Sequence, residues 1–279
     1  MAPARLWGIE RRMNEPELKR CVIAGVEATV AGTEGPPLVI LGGPPTSSVM
    51  FREVQRRLAP RATVAPELLS GDPPLGIEAL SERLGQVVAA VGADTVLAHG
   101  LAIPLALRAE GVSLALLSNG PIASLDPITR SLAAMPLRAL RAALRPALVQ
   151  RWLASSAGLR RAVVNPYVMD RDTVAMLSEP LLADRQRREA TARWIRGLPE
   201  ALAMDPVGPR RIGLIWGMSD ALYQVSQADK PSVAARVDGS VHIPGGRWLH
   251  PEERPWALAE GVLALLDERR DPLETITVT

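Results

Sequence analysis

Between Asp94 and Arg108 the chain reads Asp-Thr-Val-Leu-Ala-His-Gly-Leu-Ala-Ile-Pro-Leu-Ala-Leu-Arg, an order that few architectures accommodate. Thr95 to Ala98 form a short uncharged run of the kind that makes a buried strand. From Leu101 the apolar residues continue as a helix, and Pro104 falls in its first turn, where a missing N–H costs nothing. The corner between them, Ala98-His99-Gly100-Leu101-Ala102, carries small residues two positions to either side of Gly100. A buried strand that turns at once into an apolar helix belongs in a sheet covered by helices.

The rest of the chain repeats this alternation. Lys19 to Ala31 reads as two strands turning at Ala24-Gly25, and Gly32 to Pro37 as a loop. Leu38 to Leu41 is a buried strand ending at Gly42-Gly43-Pro44-Pro45, and Ser47 or Ser48 is placed to cap a helix from Val49 to Leu58. A strand at Thr63 to Pro66, a helix from Gly76 to Val91 and a strand from Val112 to Leu117 follow, the last ending at Ser118-Asn119-Gly120-Pro121. From Ile122 to Arg210 strand signals vanish, and Ala, Leu and Arg form helical pieces punctuated by Pro136, Pro146, Pro166 and Pro180. The sheet resumes at Arg211 to Gly217, with a helix near Gln224 to Asp229, a strand at Ser240 to Ile243 and a last helix from Trp256 to Glu268. The expected organisation is an α/β core over 1–121 (with a peripheral arm, 1–18), a helical cap over 122–210 and the second part of the core over 211–279. The tail after Asp271 is polar and is expected to fray.

Composition narrows the function classes. Hydrophobic residues make up 47% and charged residues 22%, as in a globular protein. The 32 Lys and Arg are balanced by 30 Asp and Glu, which speaks against a nucleic-acid surface. Cys21 is the single cysteine, so neither an intramolecular disulfide nor a thiolate zinc site is expected. Three scattered histidines have no metal-ligand spacing. The prolines after Gly42-Gly43 remove the N–H groups a phosphate cradle would use, so neither metal nor cofactor is expected. No leader is evident and no apolar run reaches the roughly 18 residues of a membrane span. A soluble, cytoplasmic protein is the expectation.

Several phrases resemble the α/β-hydrolase fold superfamily, in the right order along most of Lys19 to Glu268. The Ala98–Ala102 corner is similar to that family's nucleophile elbow. Gly35-Pro36-Pro37-Leu38-Val39-Ile40-Leu41-Gly42-Gly43-Pro44-Pro45 resembles the strand leading into its oxyanion loop. Ile215-Trp216-Gly217-Met218-Ser219-Asp220 is similar to the turn that carries its acid, and Ile243-Pro244-Gly245-Gly246-Arg247-Trp248-Leu249 to the segment that carries its histidine. The resemblance implies an α/β-hydrolase fold, with a mostly parallel sheet, helices on both faces and a helical cap insertion.

It also implies chemistry that these residues do not supply. The nucleophile position is Gly100, and the histidine position is Arg247, which stays protonated and accepts no proton. The oxyanion loop places Pro44 where an N–H is expected, leaving the Leu101 N–H; one lost donor costs about 100- to 1,000-fold in rate. Asp220 alone keeps its type, without a histidine to orient.

The candidate catalytic residues are therefore Asp220, Arg247 and His250. Arg247 is expected in the pocket, paired with Asp220 or clamping a ligand anion. The candidate substrate-binding residues are Gly42, Gly43, Pro44, Gly100, Leu101, Ser118, Asn119, Trp248, Tyr167 and Trp194. His99 is read as packing behind the elbow, and His242 as an ordinary strand residue. Leu137, Leu140, Leu144 and Leu148 with Arg138, Arg141 and Arg145 describe an amphipathic helix whose arginine face is read as solvated, with no membrane contact expected. The leading expectation is a cofactor-independent cyclase, lyase or isomerase acting on an apolar, polyketide- or terpenoid-like molecule, as in natural-product biosynthesis. A pseudohydrolase that only binds a small molecule or partner is the first alternative. A hydrolase with a displaced nucleophile or base (Ser47 or Ser118, with His250) is the second. A homodimer is left open.

Overall fold

The computed structural model describes residues 16–73, 75–156, 158–267 and 275–278. The expected arm lies almost wholly outside the described residues, as does half of the tail after Asp271. Nine strands form one sheet: β1 (Lys19–Ile23), β2 (Val26–Ala31), β3 (Glu34–Leu41), β4 (Arg61–Pro66), β5 (Thr95–His99), β6 (Leu114–Ser118), β7 (Arg211–Gly217), β8 (Val237–Ile243) and β9 (Thr275–Thr277). Their spatial order is β1-β2-β4-β3-β5-β6-β7-β8-β9. The β1/β2 and β2/β4 pairs are antiparallel and every other pair is parallel. This is the α/β-hydrolase architecture expected from the motifs.

Parallel neighbours need crossovers, and helices supply them. These are α1 (Arg52–Leu58), α2 (Ile77–Val91), α3 (Ile103–Arg108), α9 (Pro231–Ala234) and α11 (Pro255–Leu266), with a single turn α10 (His250–Glu253) before the last. Every residue of β5 and β6 is buried, so both faces of the central sheet are covered, as uninterrupted apolar strands require. Between β6 and β7 stand five helices: α4 (Pro127–Ala134), α5 (Leu137–Ala143), α6 (Pro146–Leu153), α7 (Arg171–Leu182) and α8 (Arg185–Ala203).

Several local expectations are corrected. β3 begins at Glu34, inside the expected loop, because that end pairs with Arg61 across a register shift. The helix expected from Val49 opens as a 3-10 turn, Ser48–Phe51, and neither serine caps it through its side chain. Ser48 Oγ instead donates to Pro66 O (2.8 Å) and accepts the Gly42 N–H (3.2 Å). The amphipathic run from Leu137 to Leu148 is two helices, since Pro146 cannot continue the first and instead starts α6. Residues 275–277 of the tail are not frayed but add the edge strand β9 to β8.

A close backbone contact lies next to the elbow. A Cβ on Gly120 would stand 2.4 Å from Gly100 O and 2.8 Å from Gly100 Cα. Only backbone blocks it there, and no side chain can swing aside. Gly120→Ala is therefore expected to lower the urea midpoint more than Leu97→Ala does, and the latter costs about 2–5 kcal/mol by opening a core cavity. Equal midpoints for wild type and Gly120→Ala would refute the contact.

Candidate functional site

Gly100 stands at the apex of the corner with φ +59°, a left-handed conformation that glycine adopts freely. The chain then makes a 3-10 turn, Gly100–Ala102, and enters α3. The ring of Trp248 lies on the apex: a Cβ at Gly100 would meet its Cζ2 at 2.8 Å. The place where an elbow side chain would begin is thus filled by an indole.

Behind this indole three polar side chains are linked. His250 Nδ1 lies 3.0 Å from Arg247 O, which only accepts, so Nδ1 carries the proton and Nε2 is bare. Ser118 Oγ, 3.1 Å away, donates to that Nε2 and accepts from His99 Nδ1 at 3.2 Å. All three residues are fully buried. Burial holds the His99 imidazole well below its usual range, helped by the neighbouring His250, and lowers His250 to about 4. His99 Nε2 and Trp248 Nε1 are buried with no hydrogen-bond partner among the described residues.

A second cluster joins the ends of β6 and β7. Asn119 Nδ2 donates to Asp220 Oδ2 (2.8 Å) and to Gly217 O (3.2 Å), and its Oδ1 accepts the Gly217 N–H at 2.7 Å. Asp220 Oδ1 accepts the Leu222 N–H. Burial raises the Asp220 carboxyl above its ordinary value despite these donors.

A cavity of about 430 Å3 lies between this floor and the cap. Pro44, Leu101 and Trp248 face it from the core, and Leu132, Leu148 and Ile195 are among the cap residues that close it. Its lining is almost wholly apolar. The polar exceptions are Thr129, Thr191, Arg161 and the pair Asp126–Tyr223. Tyr223 donates its hydroxyl proton to Asp126 Oδ2 at 2.6 Å, while Asp126 Oδ1 caps α4 through the N–H groups of Ile128 and Thr129. Burial and the adjacent Asp126 carboxyl push the Tyr223 phenol up, so it keeps its proton at neutral pH.

Of the expected site residues, Pro44, Leu101 and Trp248 reach the cavity, and the others are placed elsewhere. Arg247 does not pair with Asp220: its guanidinium donates to Val163 O (2.9 Å) and Arg161 O (3.4 Å), tying the last loop to the cap. Asp220, Ser118, Asn119 and His250 are consumed in the two buried clusters. Gly100 is covered, and Gly42 and Gly43 press on the backbone of Ser47 and Ala102. Trp194 is buried and donates Nε1–H to Leu101 O at 3.1 Å, bracing the elbow from α8. Tyr167 is 85% exposed on a short turn, because Asn165 and Pro166 turn the chain outward there. Asp126 and Tyr223 are the polar cavity-lining pair that sequence reasoning missed. The Asp126-Pro127 pair signals a helix start, but nothing local links it to Tyr223, 97 residues away. Among the described residues no group of His, Cys, Asp and Glu could hold a metal ion.

No family model and no curated protein matches this chain. Solved structures do. Wild-type Cfl2 from Burkholderia cenocepacia aligns with a TM-score of 0.70 at 19% identity, over 92% of this chain and 97% of its own. A thermophilic esterase from Thermogutta terrifontis aligns at 0.67 and 14% identity, over 89% and 98%. An epoxide hydrolase from Vigna radiata aligns at 0.61 and 17% identity, over 92% and 99%. The chain therefore has the α/β-hydrolase fold over nearly its whole length.

The buried groups give stability a defined pH dependence. His99 and His250 have folded values below 6.5, so the unfolded chain binds those protons first. The stability they contribute is full above about pH 6.5 and is lost as pH falls towards about 4. Glu67 acts oppositely, since desolvation raises its carboxyl from 4.5 to about 8, against the N–H groups of Ser48 and Val49. The folded chain then keeps a proton that the unfolded chain releases, and stability falls as pH rises from about 4.5 to about 8. Urea midpoints are expected to decline between about pH 6.5 and 8 in the wild type and to stay level there in Glu67→Gln. Parallel profiles for the two proteins would remove Glu67 from this account.

Proposed function

We propose that this protein is a pseudohydrolase: an α/β-hydrolase fold without a working Ser-His-Asp triad, which encloses an apolar small molecule between core and cap. The observation that carries this is the Trp248 indole seated on Gly100, since it fills the nucleophile's place and makes the cavity floor hydrocarbon. The ligand class follows from the Asp126–Tyr223 pair, which gives the lining its one carboxyl group. Tyr223 spends its proton on Asp126, so what the pair offers a ligand is oxygen acceptors. A molecule with a large apolar body and one hydroxyl or amine donor fits. A cyclase, lyase or isomerase reaction on this scaffold would have to use Asp126 and Tyr223, because Asp220, Arg247 and His250 do not line the cavity. With no such reaction required by the geometry, binding is the simpler reading.

One observation favours a second reading. Ser118 Oγ and His250 Nε2 stand in nucleophile–base contact at the carboxyl edge of β6, and several structures of similar fold carry hydrolase names. This pair would hydrolyse a substrate only if Trp248 left its place, because Ser118 is fully buried and does not line the cavity.

A serine-reactive fluorophosphonate separates the two. No stoichiometric labelling is expected in wild type, nor in Gly100→Ser, where the new side chain collides with Trp248 and Pro44 still withholds its N–H. One-to-one labelling that disappears in Ser118→Ala would install the hydrolase reading in place of ours. The cavity itself is tested with Nile red as an apolar reporter. Saturable one-to-one fluorescence enhancement is expected, weakened at least about tenfold when Ile128→Trp fills the space, a loss of about 1.4 kcal/mol. Unchanged affinity would put the dye, and our site, elsewhere.

A further inference from the structure

The cap carries a charge pattern unlike the rest of the chain. Residues 127–169 contain seven arginines and no Asp, Glu or Lys, whereas the whole chain is only +2. Arg141 is paired with Glu189, and Arg130 donates to Leu125 O. Arg138, Arg145, Arg151, Arg160 and Arg161 are exposed and have no carboxylate partner among the described residues. Of the acidic groups near this surface, Glu253 is spent on the N–H groups of Val164 and Asn165 and Asp170 caps α7, while Asp172 and Glu179 lie exposed on α7, which packs against α6.

The same segment exposes large apolar side chains: Leu148 at 54%, Trp152 at 39%, Val164 at 48% and Tyr167 at 85%. They follow one another along the chain from α6 to the turn Pro166–Val168. The end of α6 packs against Gly158, the 3-10 turn Leu159–Ala162 follows, and the turn Pro166–Val168 packs on that. Leu148, Trp152 and Arg161 also line the cavity, so this surface is its rim.

Exposed aromatic and aliphatic groups interleaved with unpaired arginines, and no acid among them, match a surface that is apolar below and anionic above. We propose that this face of the cap, residues 145–156 and 158–168, seats on an anionic phospholipid bilayer and opens the cavity rim against lipid. The sequence reading of the arginine face as merely solvated did not set Trp152, Val164 and Tyr167 beside it, and these come from beyond that helix. No described helix is long and apolar enough to cross a membrane, so the contact is interfacial. The proposal deepens the cavity reading by naming the source of an apolar ligand. Vesicle binding is measured without any ligand or turnover, so each reading can fail without the other.

The test is co-sedimentation of the full chain with phosphatidylcholine vesicles, with and without phosphatidylserine. Pelleting is expected only with the anionic lipid and is expected to fall with added salt. Arg145→Glu, Arg151→Glu and Arg160→Glu should each lower partitioning about fivefold, and Tyr167→Ser should lower it while leaving the thermal melt unchanged. No pelleting, or equal pelleting with neutral vesicles, overturns the proposal. So does a dimer in light scattering that these substitutions split without any vesicle binding, which would give the face to a second copy of the chain.

Discussion

The contact between the Trp248 ring and the bare Cα of Gly100 governs most of what surrounds it. Any residue with a Cβ at position 100 would need both a left-handed backbone and the space now held by the indole. Glycine removes both obstacles, and the ring settles onto the elbow as a lid on the sheet's carboxyl edge. Everything beneath it is thereby taken from water. His99, Ser118 and His250 bond to one another, with the Arg247 carbonyl accepting the His250 Nδ1–H, and the imidazoles stay neutral because a low-dielectric site penalises the cation.

Arg247 and Asp220 are both held by fixed partners. With Trp248 turned inward, the adjacent Arg247 reaches across to two carbonyls of the cap and holds the last loop against it. Asp220 accepts from Asn119 and from the Leu222 N–H, closing the junction of β6 and β7. Each is a charged or polar group satisfied by fixed partners, which stabilises one arrangement. The Ser118–His250 contact is the one exception in kind, a serine and a base within bonding distance, though sealed from the cavity.

The cavity inherits its character from both layers. Prolines, Leu101 and the indole make an apolar floor, and the leucine-rich cap makes an apolar roof. Against that background a single pair, Asp126 and Tyr223, supplies direction. A buried pair of this kind is costly unless it is bonded, which is why the tyrosine proton is committed to the carboxyl. Leu148, Trp152 and Arg161 both line the cavity and reach the exposed surface of the cap, so the cavity and that surface share the same few turns.

Much of the fold was legible because it rests on local patterning. Alternation showed the β1–β2 hairpin, uncharged runs showed the central parallel strands, and the Ala98–Ala102 corner with Gly100 at its apex was visible as such. Composition likewise set off the helical segment between β6 and β7. The site was legible only where it is part of that local geometry, as at Pro44, Leu101 and Trp248. Where a side chain points is settled by neighbours far along the chain, and no spacing rule reports that. Arg247 turns to the cap, Ser118 meets a histidine 132 residues away, and Tyr223 finds Asp126 because helix and sheet layers bring their ends together. Periodicity thus determined which segments are strands, helices and elbow. Long-range packing alone decided which polar groups are buried together and which face the cavity, since burial and partnership are properties of the assembled layers.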